Sequence, residues 1–382
     1  MTPHWGAPGE SGWIIRQVAG ALAWVADVDV VTPDGRSPGT ALDAVFRIHR
    51  LGTPLRPTAE LRRDVLVDIV HGADPAPGTT PSQEFQSETD RDLLEPWAAA
   101  ADALASIRPD LVVIAGHRSI GALHAVNRYD SSVPMVLLPL ALLGQDLSFP
   151  HFTPLVERSA SVLVVTEQER ASVVSAHGRP GDVHRIGAPL RANPTSMSEP
   201  NPWVGDTDYI LVRTDTACDG AGDPQYDLAR MIRLRFPERP VGICHRDAFC
   251  AWHMGRCSTG WPIERSSDLA RLAAWAALTV DLRPGPLFAR ECIDSLLYGT
   301  PIVVPRGSRA LEHAQRGRGG LWFDSAGELM GCVDAMLDPD VHAALAARGR
   351  AYAEEEFGST ERFVTRVTAA CGLGDGIGPV TP

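Results

Sequence analysis

The sequence predicts an α/β protein built as two successive halves, each a set of parallel strands alternating with helices. Three observations carry this. Short apolar runs of strand length alternate with runs of helical periodicity along nearly the whole chain, the pattern of parallel sheets covered by helices. A stretch rich in proline, serine and asparagine, Pro189 to Val204, interrupts the alternation near its middle. A glycine/proline turn near Arg283 opens onto a helical run and leads through two more strands to Phe323. The chain has 382 residues, more than one domain usually holds, which agrees with two.

In the first half the apolar runs Val28–Thr32, Val45–His49, Leu111–Ala115, Met135–Leu138, Val162–Thr166 and Val183–Ile186 read as strands. Trp13–Trp24 is apolar at helical spacing, Thr58 caps a run to Val70, and Arg91–Ile107 is a third helix. Gly72–Ser87 has loop composition. The start is anomalous. A Rossmann-like half begins with a strand and then a glycine turn, whereas here the turn, Gly6 to Gly12, comes at once. The first strand is missing from the sequence pattern, and a true start about ten residues upstream would supply it.

The second half runs Tyr209–Val212 (strand), Tyr226–Arg235 (helix), Val241–Cys244 (strand), Leu269–Leu278 (helix) and Thr279–Leu282 (strand). Phe288–Tyr298 follows as a helix, ended by Gly299, then strand Pro301–Val304, helix Ala310–Gln315 and strand Gly320–Phe323. Helices Ala326–Leu337 and Val341–Phe357 close the set. The domains are therefore 1–190 and 205–357, with 358–382 as a tail frayed from Gly372 onward. A cleft between two such halves is the expected ligand site.

Composition excludes several function classes. Hydrophobic residues make up 44% and charged residues 21%, ordinary for a globular chain. No apolar run is long enough to span a membrane, and the start carries no signal-peptide pattern, so the cytoplasm is expected. All 35 basic residues are arginine. Schiff-base and P-loop lysine chemistry is thereby removed, and a phosphate must be held by arginine, backbone amides or a metal. The net charge of -12 and the absence of basic runs with interleaved aromatics argue against a nucleic-acid partner. Seven irregularly spaced cysteines do not make a disulfide framework. Cys250, His253 and Cys257 would share one face if their segment were helical, but no CxxC pair supports a zinc site, and no metal is expected.

The helix opened by the turn near Arg283 presents backbone amides and a positive dipole end, which suit a phosphate. The run DSLLYGTPIVVPRGSRALEHAQRGRGGLWF, Asp294 to Phe323, together with APGESGWIIRQVAGALA, VTEQERASVV and GRAYAEEEFGSTERF, resembles the group-1 retaining glycosyltransferases. These include bacterial mannosyl- and glucosyltransferases and sucrose synthases, and have two Rossmann-like domains facing across a cleft, the GT-B fold. The likeness covers nearly the whole chain and is weakest over Val31–Arg91 and Asp215–Thr259.

The resemblance implies a donor site. Phe288, Ala289 and Arg290 would offer amides to the donor diphosphate. Arg213, after the first strand of the second half, would clamp phosphate; as a residue at a strand end it suits a carboxylate partner equally well. Asp294 takes the place of the glutamate that holds the ribose hydroxyls. The sugar-contacting glutamate, separated from it by seven residues in the motif, falls on Pro286; Glu291 is near it in sequence, on another helix face, and is counted with the donor-binding residues. Gly9 and Gly12, with Glu10 beside them, lie in the loop that would face the phosphates. Where relatives carry an acceptor-side histidine this chain has Pro139 and Leu140, and His117 is the nearest substitute, with a structural hydrogen bond as its other reading. Glu312 corresponds to a glutamate of structural role.

The implied activity is transfer of a sugar from a nucleotide-diphosphate sugar to an acceptor hydroxyl with retention. It needs no cofactor, and arginines and amides stabilise the departing diphosphate. Simultaneous loss of the sugar-contacting glutamate, the phosphate lysine and the acceptor-side histidine implies an alternative, a non-catalytic GT-B scaffold acting as a partner or regulatory subunit. A peripheral membrane partner is compatible with either.

Overall fold

A computed structural model describes residues 10–32, 46–50, 97, 99–116, 120–140, 152–190, 208–214, 223–245, 248–253, 256–257, 261–262, 266–283 and 288–373. The chain divides into two compact units, Met1–Ala188 with Glu361–Pro382, and Pro189–Thr360.

The first unit begins, among the described residues, with helix α1 (Glu10–Leu22). Gly12, read in the sequence as part of a turn, therefore lies in the first turn of a helix. Strands β1 (Asp29–Thr32) and β2 (Arg47–Arg50) pair in parallel. Helix α2 (Ala100–Ile107) leads to β3 (Val112–Ala115), and α3 (Ile120–Tyr129) to β4 (Met135–Leu138). Then come α4 (Phe152–Arg158), β5 (Ser161–Val164), α5 (Glu167–His177) and β6 (Val183–Arg185). Strands β3 to β6 make a four-stranded sheet in chain order, parallel throughout. The continuous apolar strands are buried on both faces, as parallel sheets require, with Ile114, Met135, Leu137 and Val164 fully enclosed. Local chemistry sets the helix ends. Thr166 accepts the Glu169 amide at the start of α5, and Gly178, at φ 66°, ends it.

Among the described residues the β1–β2 pair and the β3–β6 sheet are separate. A cavity of about 400 Å³ lies where α1, β1, α2 and β3 meet, lined by Ile15, Val18, Leu22, Val30, Leu104 and Val112 among others. The segment in which the sequence lacks a first strand, residues 1–9, and the predicted helix at Thr58–Val70 lie outside the described residues.

The second unit starts with β7 (Tyr209–Thr214), α6 (Pro224–Arg235) and β8 (Val241–His245). Three strands follow that the sequence did not predict: β9 (Ala248–His253), β10 (Arg256–Cys257) and β11 (Trp261–Pro262). They run antiparallel, β9 pairing with β8, and β10 and β11 with β9. Cys250, His253 and Cys257 thus lie on strands, and not on the helical face that would gather them. Helix α7 (Ser266–Trp275) gives way directly to β12 (Ala276–Asp281). The predicted helix to Leu278 is three residues too long. Then come α8 (Arg290–Leu297), β13 (Ile302–Pro305), α9 (Leu311–Gly317), β14 (Gly320–Phe323), α10 (Ala326–Met336) and α11 (Pro339–Glu356). The sheet order is β10-β9-β8-β7-β12-β13-β14, and β8-β7-β12-β13-β14 are parallel. The last helix, α12 (Thr360–Ala370), lies in the segment read as a tail and groups with the first unit.

Helix α11 sits against the turn before β14 without intervening side chains. A methyl group on Gly349 would lie 2.9 Å from Gly319 Cα and 2.7 Å from Leu296 Cδ2. Such a methyl forces backbone movement, since both partners are held by the sheet and by α8. Gly349→Ala is expected to cost about 1–3 kcal/mol, the usual range for overpacking. Urea denaturation would show it as a lowered midpoint with unchanged slope.

Candidate donor site

The site is built at the carboxyl ends of β7 and β12 and at the start of α8, all within the second unit. Open parallel sheets bind ligands at such ends, because the strand-to-helix loops gather there. Parallel register places Asp281 of β12 beside Arg213 of β7 and brings residues far apart in sequence together.

Arg213 is 4% exposed, and its Nη2 lies 3.2 Å from Glu291 Oε1. Arg283 Nη2 donates to Glu291 Oε2 at 3.2 Å and to Asp281 Oδ2 at 2.6 Å, and its Nε donates to Asp281 Oδ1 at 2.8 Å. The four side chains form an alternating chain of charge, Arg213–Glu291–Arg283–Asp281. Burial works against every charge in it and the partners outweigh burial. The Asp281 carboxyl is left below its ordinary value, chiefly by Arg283, and the Glu291 carboxyl is driven far below its own by Arg213 and Arg283. Both guanidinium groups are held more firmly protonated than usual.

Cys292 and Cys244 border this cluster. Burial raises both thiols, and Cys292 is pushed further by Asp281, to which its Sγ donates at 3.3 Å. Neither is an activated nucleophile, since a thiol needs a lowered value to react.

Helix α8 opens at Ala289, a non-glycine residue in the left-handed region at φ 53°. The preceding residue is pinned: His313 of α9, fully buried, donates from Nε2 to the Phe288 carbonyl at 2.9 Å, while Nδ1 lies 3.1 Å from the Tyr352 hydroxyl. A carbonyl only accepts, so Nε2 carries the proton. This bond and the burial of Phe288 and Ala289 hold the entry to the helix rigidly. Asp294, one turn into α8, is 7% exposed and lies 3.6 Å from Arg290 Nε. Burial raises its carboxyl to about 6, with Arg290 opposing and Glu291 adding to the rise.

Of the residues singled out in the sequence, Arg213, Phe288, Ala289, Arg290, Glu291 and Asp294 come together here. Gly12 belongs to the first unit. Gly9, His117 and Pro286 lie outside the described residues. Arg213 takes the carboxylate partner that its strand-end position allowed. Glu291, expected among the donor-binding residues as a near neighbour of the missing sugar-contacting residue, is the hub of the ion-pair cluster. Asp281, Arg283 and His313 were not foreseen. The one signal for the first two was a charged pair at the end of a predicted strand. Glu312, given a structural role, pairs with Arg316 at 2.9 Å along α9. Among the described residues no group of three or more His, Cys, Asp or Glu is placed to hold a metal ion. No described helix is long and apolar enough to cross a membrane.

No protein-family profile matches the chain, and no curated protein matches it by sequence. Solved structures do match. HepE of Anabaena in complex with UDP-glucose superposes with a TM-score of 0.63 at 14% identity, over 96% of this chain and 97% of that one. Sucrose-phosphate synthase from Thermosynechococcus elongatus gives 0.59 at 15% identity, over 94% and 92%. The lipopolysaccharide outer core galactosyltransferase WaaB in its apo form gives 0.59 at 10% identity, over 97% of each chain. At these identities the likeness is one of fold, and with its two α/β units, each built on a Rossmann-like parallel sheet, the chain has the GT-B fold of glycosyltransferases.

Proposed function

We propose that the protein is a glycosyltransferase that moves a sugar from a nucleoside-diphosphate sugar to an acceptor hydroxyl with retention of configuration. The observation that carries the reading is the convergence of two arginines, the start of α8 and a buried carboxylate at the strand ends of one unit. Phe288, Ala289 and Arg290 supply the helix-opening backbone, and Arg213 with Arg283 supplies positive charge where leaving-group charge develops. Arginine does here what a lysine does elsewhere, with a planar fork that matches phosphate oxygens. Asp294 accepts from the ribose hydroxyls. That HepE is crystallised with UDP and with UDP-glucose supports a nucleotide-sugar donor.

The test is a screen of nucleotide sugars for donor hydrolysis, followed by NMR of the product anomer. Release of nucleoside diphosphate with a retained anomer is the expected result. If no donor is turned over, transferase activity is ruled out. Inversion would remove the retaining mechanism alone.

A second reading, a non-catalytic scaffold with a protein partner, is favoured by one observation: Arg213 and Arg283 are already neutralised by Glu291 and Asp281. Thermal stabilisation by nucleoside diphosphates separates the two, because only a protein that binds them gains stability.

A further inference from the structure

We propose that Glu291 is an internal competitor of the donor's diphosphate, a carboxylate that occupies the anion position of the site and must leave it before phosphate can bind. The proposal rests on the donor-site reading above and assigns the regulation of that site.

Glu291 uses its two oxygens as a phosphate would. Oε1 meets Arg213 Nη2 and Oε2 meets Arg283 Nη2, each at 3.2 Å. Its own main-chain amide, in the first turn of α8, adds to the two arginines in holding the carboxyl below its ordinary value. Two guanidinium groups and a helix-start amide are the donors that bind a phosphate at such an end. Here they converge on one side chain of the same chain. The donor capacity is not exhausted, for Arg213 Nε is buried with no hydrogen-bond partner among the described residues.

Glu291 is also the member of the cluster able to move. Its side chain is 16% exposed, against 1% for Asp281, 5% for Arg213 and 12% for Arg283. Asp281 is fixed under Arg283 by two of that residue's nitrogens and receives the Cys292 thiol. With two arginines and two carboxylates the cluster is neutral. An incoming diphosphate that displaces Glu291 removes one competing negative charge from the two arginines, whereas one that joins it meets both carboxylates as well as the two cations. Protonation does not release Glu291, since its carboxyl stays ionised far below neutral pH. Displacement by a stronger anion is the route that remains.

The experiment titrates inorganic pyrophosphate, UDP and uridine into the parent protein, Glu291→Gln and Glu291→Asp. Glu291→Gln keeps the shape but removes the charge and leaves a single neutral acceptor for the two arginines, so pyrophosphate and UDP are expected to bind about tenfold tighter or more, with uridine unchanged. Glu291→Asp, one methylene shorter, cannot span both guanidinium groups and should fall between. If Glu291→Gln is too unstable to titrate, pyrophosphate should raise its thermal midpoint more than it raises that of the parent, and Glu291→Asp carries the binding comparison. Equal or weaker pyrophosphate binding in both variants overturns the proposal and makes Glu291 a structural counter-ion. Should that happen while the parent still turns over a nucleotide sugar, the glycosyltransferase reading survives. Tighter pyrophosphate binding without donor turnover sinks that reading and leaves the competing anion standing.

Discussion

Arg213→Ala should destabilise the second unit by about 3 kcal/mol, the low end of the cost of breaking a buried ion pair. The substitution removes a cation that is 4% exposed and leaves Glu291 in its place with one partner fewer. The loss stays at the low end because Arg283 still reaches Glu291 at 3.2 Å. Replacing both members of the pair, as Arg213→Met with Glu291→Leu, should recover much of the stability, since two apolar side chains need no solvation. Guanidinium denaturation of the single and double variants measures this as a coupling energy. Arg213→Ala should also weaken UDP far more than uridine. Equal losses for the two ligands would mean that Arg213 supports the fold alone. A single variant as stable as its parent would refute the ion-pair account.

Asp294→Asn should stabilise the fold at neutral pH and weaken the nucleotide. The native carboxyl titrates at about 6, while an unfolded aspartate titrates at about 3.9. Between these values the native state keeps a proton that the unfolded chain has released. Stability therefore falls as pH rises through this window, and the loss is complete above 6. A shift of that size corresponds to roughly 3 kcal/mol, and the amide, which does not titrate, avoids it. Ribose binding moves the other way. The charged acceptor is lost, at a cost of roughly 1.5–3 kcal/mol, or about 10–150-fold in affinity. Melting curves at pH 5 and pH 8 with UDP titrations would check both halves. An unchanged affinity would show that Asp294 does not touch the ribose.

Where the sequence was readable, local chemistry and tertiary context agreed. Strands such as Val112–Ala115 and Ile302–Pro305 are continuous apolar runs, whereas Asp223-Pro224 and Asp338-Pro339 start two helices by capping and fixed φ two residues before the starts read at Tyr226 and Val341. The failures have identifiable causes. Leu272 to Leu278 is rich in alanine and leucine and has helix propensity throughout. Strands β7 and β13 nevertheless pair with Ala276–Asp281, and the sheet overrides propensity. The β9 strand sits beyond the parallel set, where no alternation with helices announces it. Helix α8 was legible because its turn and its apolar face are contiguous in sequence. The ion-pair cluster was not, because Arg213 meets Glu291 only through the register of β7 with β12 and the return of α8. Charges at the ends of predicted strands were the available clue.

The assignment of α12 to the first unit bears on the order in which the protein is made. A ribosome releases residues 1–188 before residues 189–360, yet Phe363, Val364 and Val367, buried in the finished structure, emerge only after both. Residues 189–360 are a continuous segment and can fold as soon as they leave the exit tunnel. The unit that holds residues 1–188 is therefore completed after the other. Until then it waits with apolar surface open, and nascent chains stalled before Thr360 should be the ones that chaperones hold.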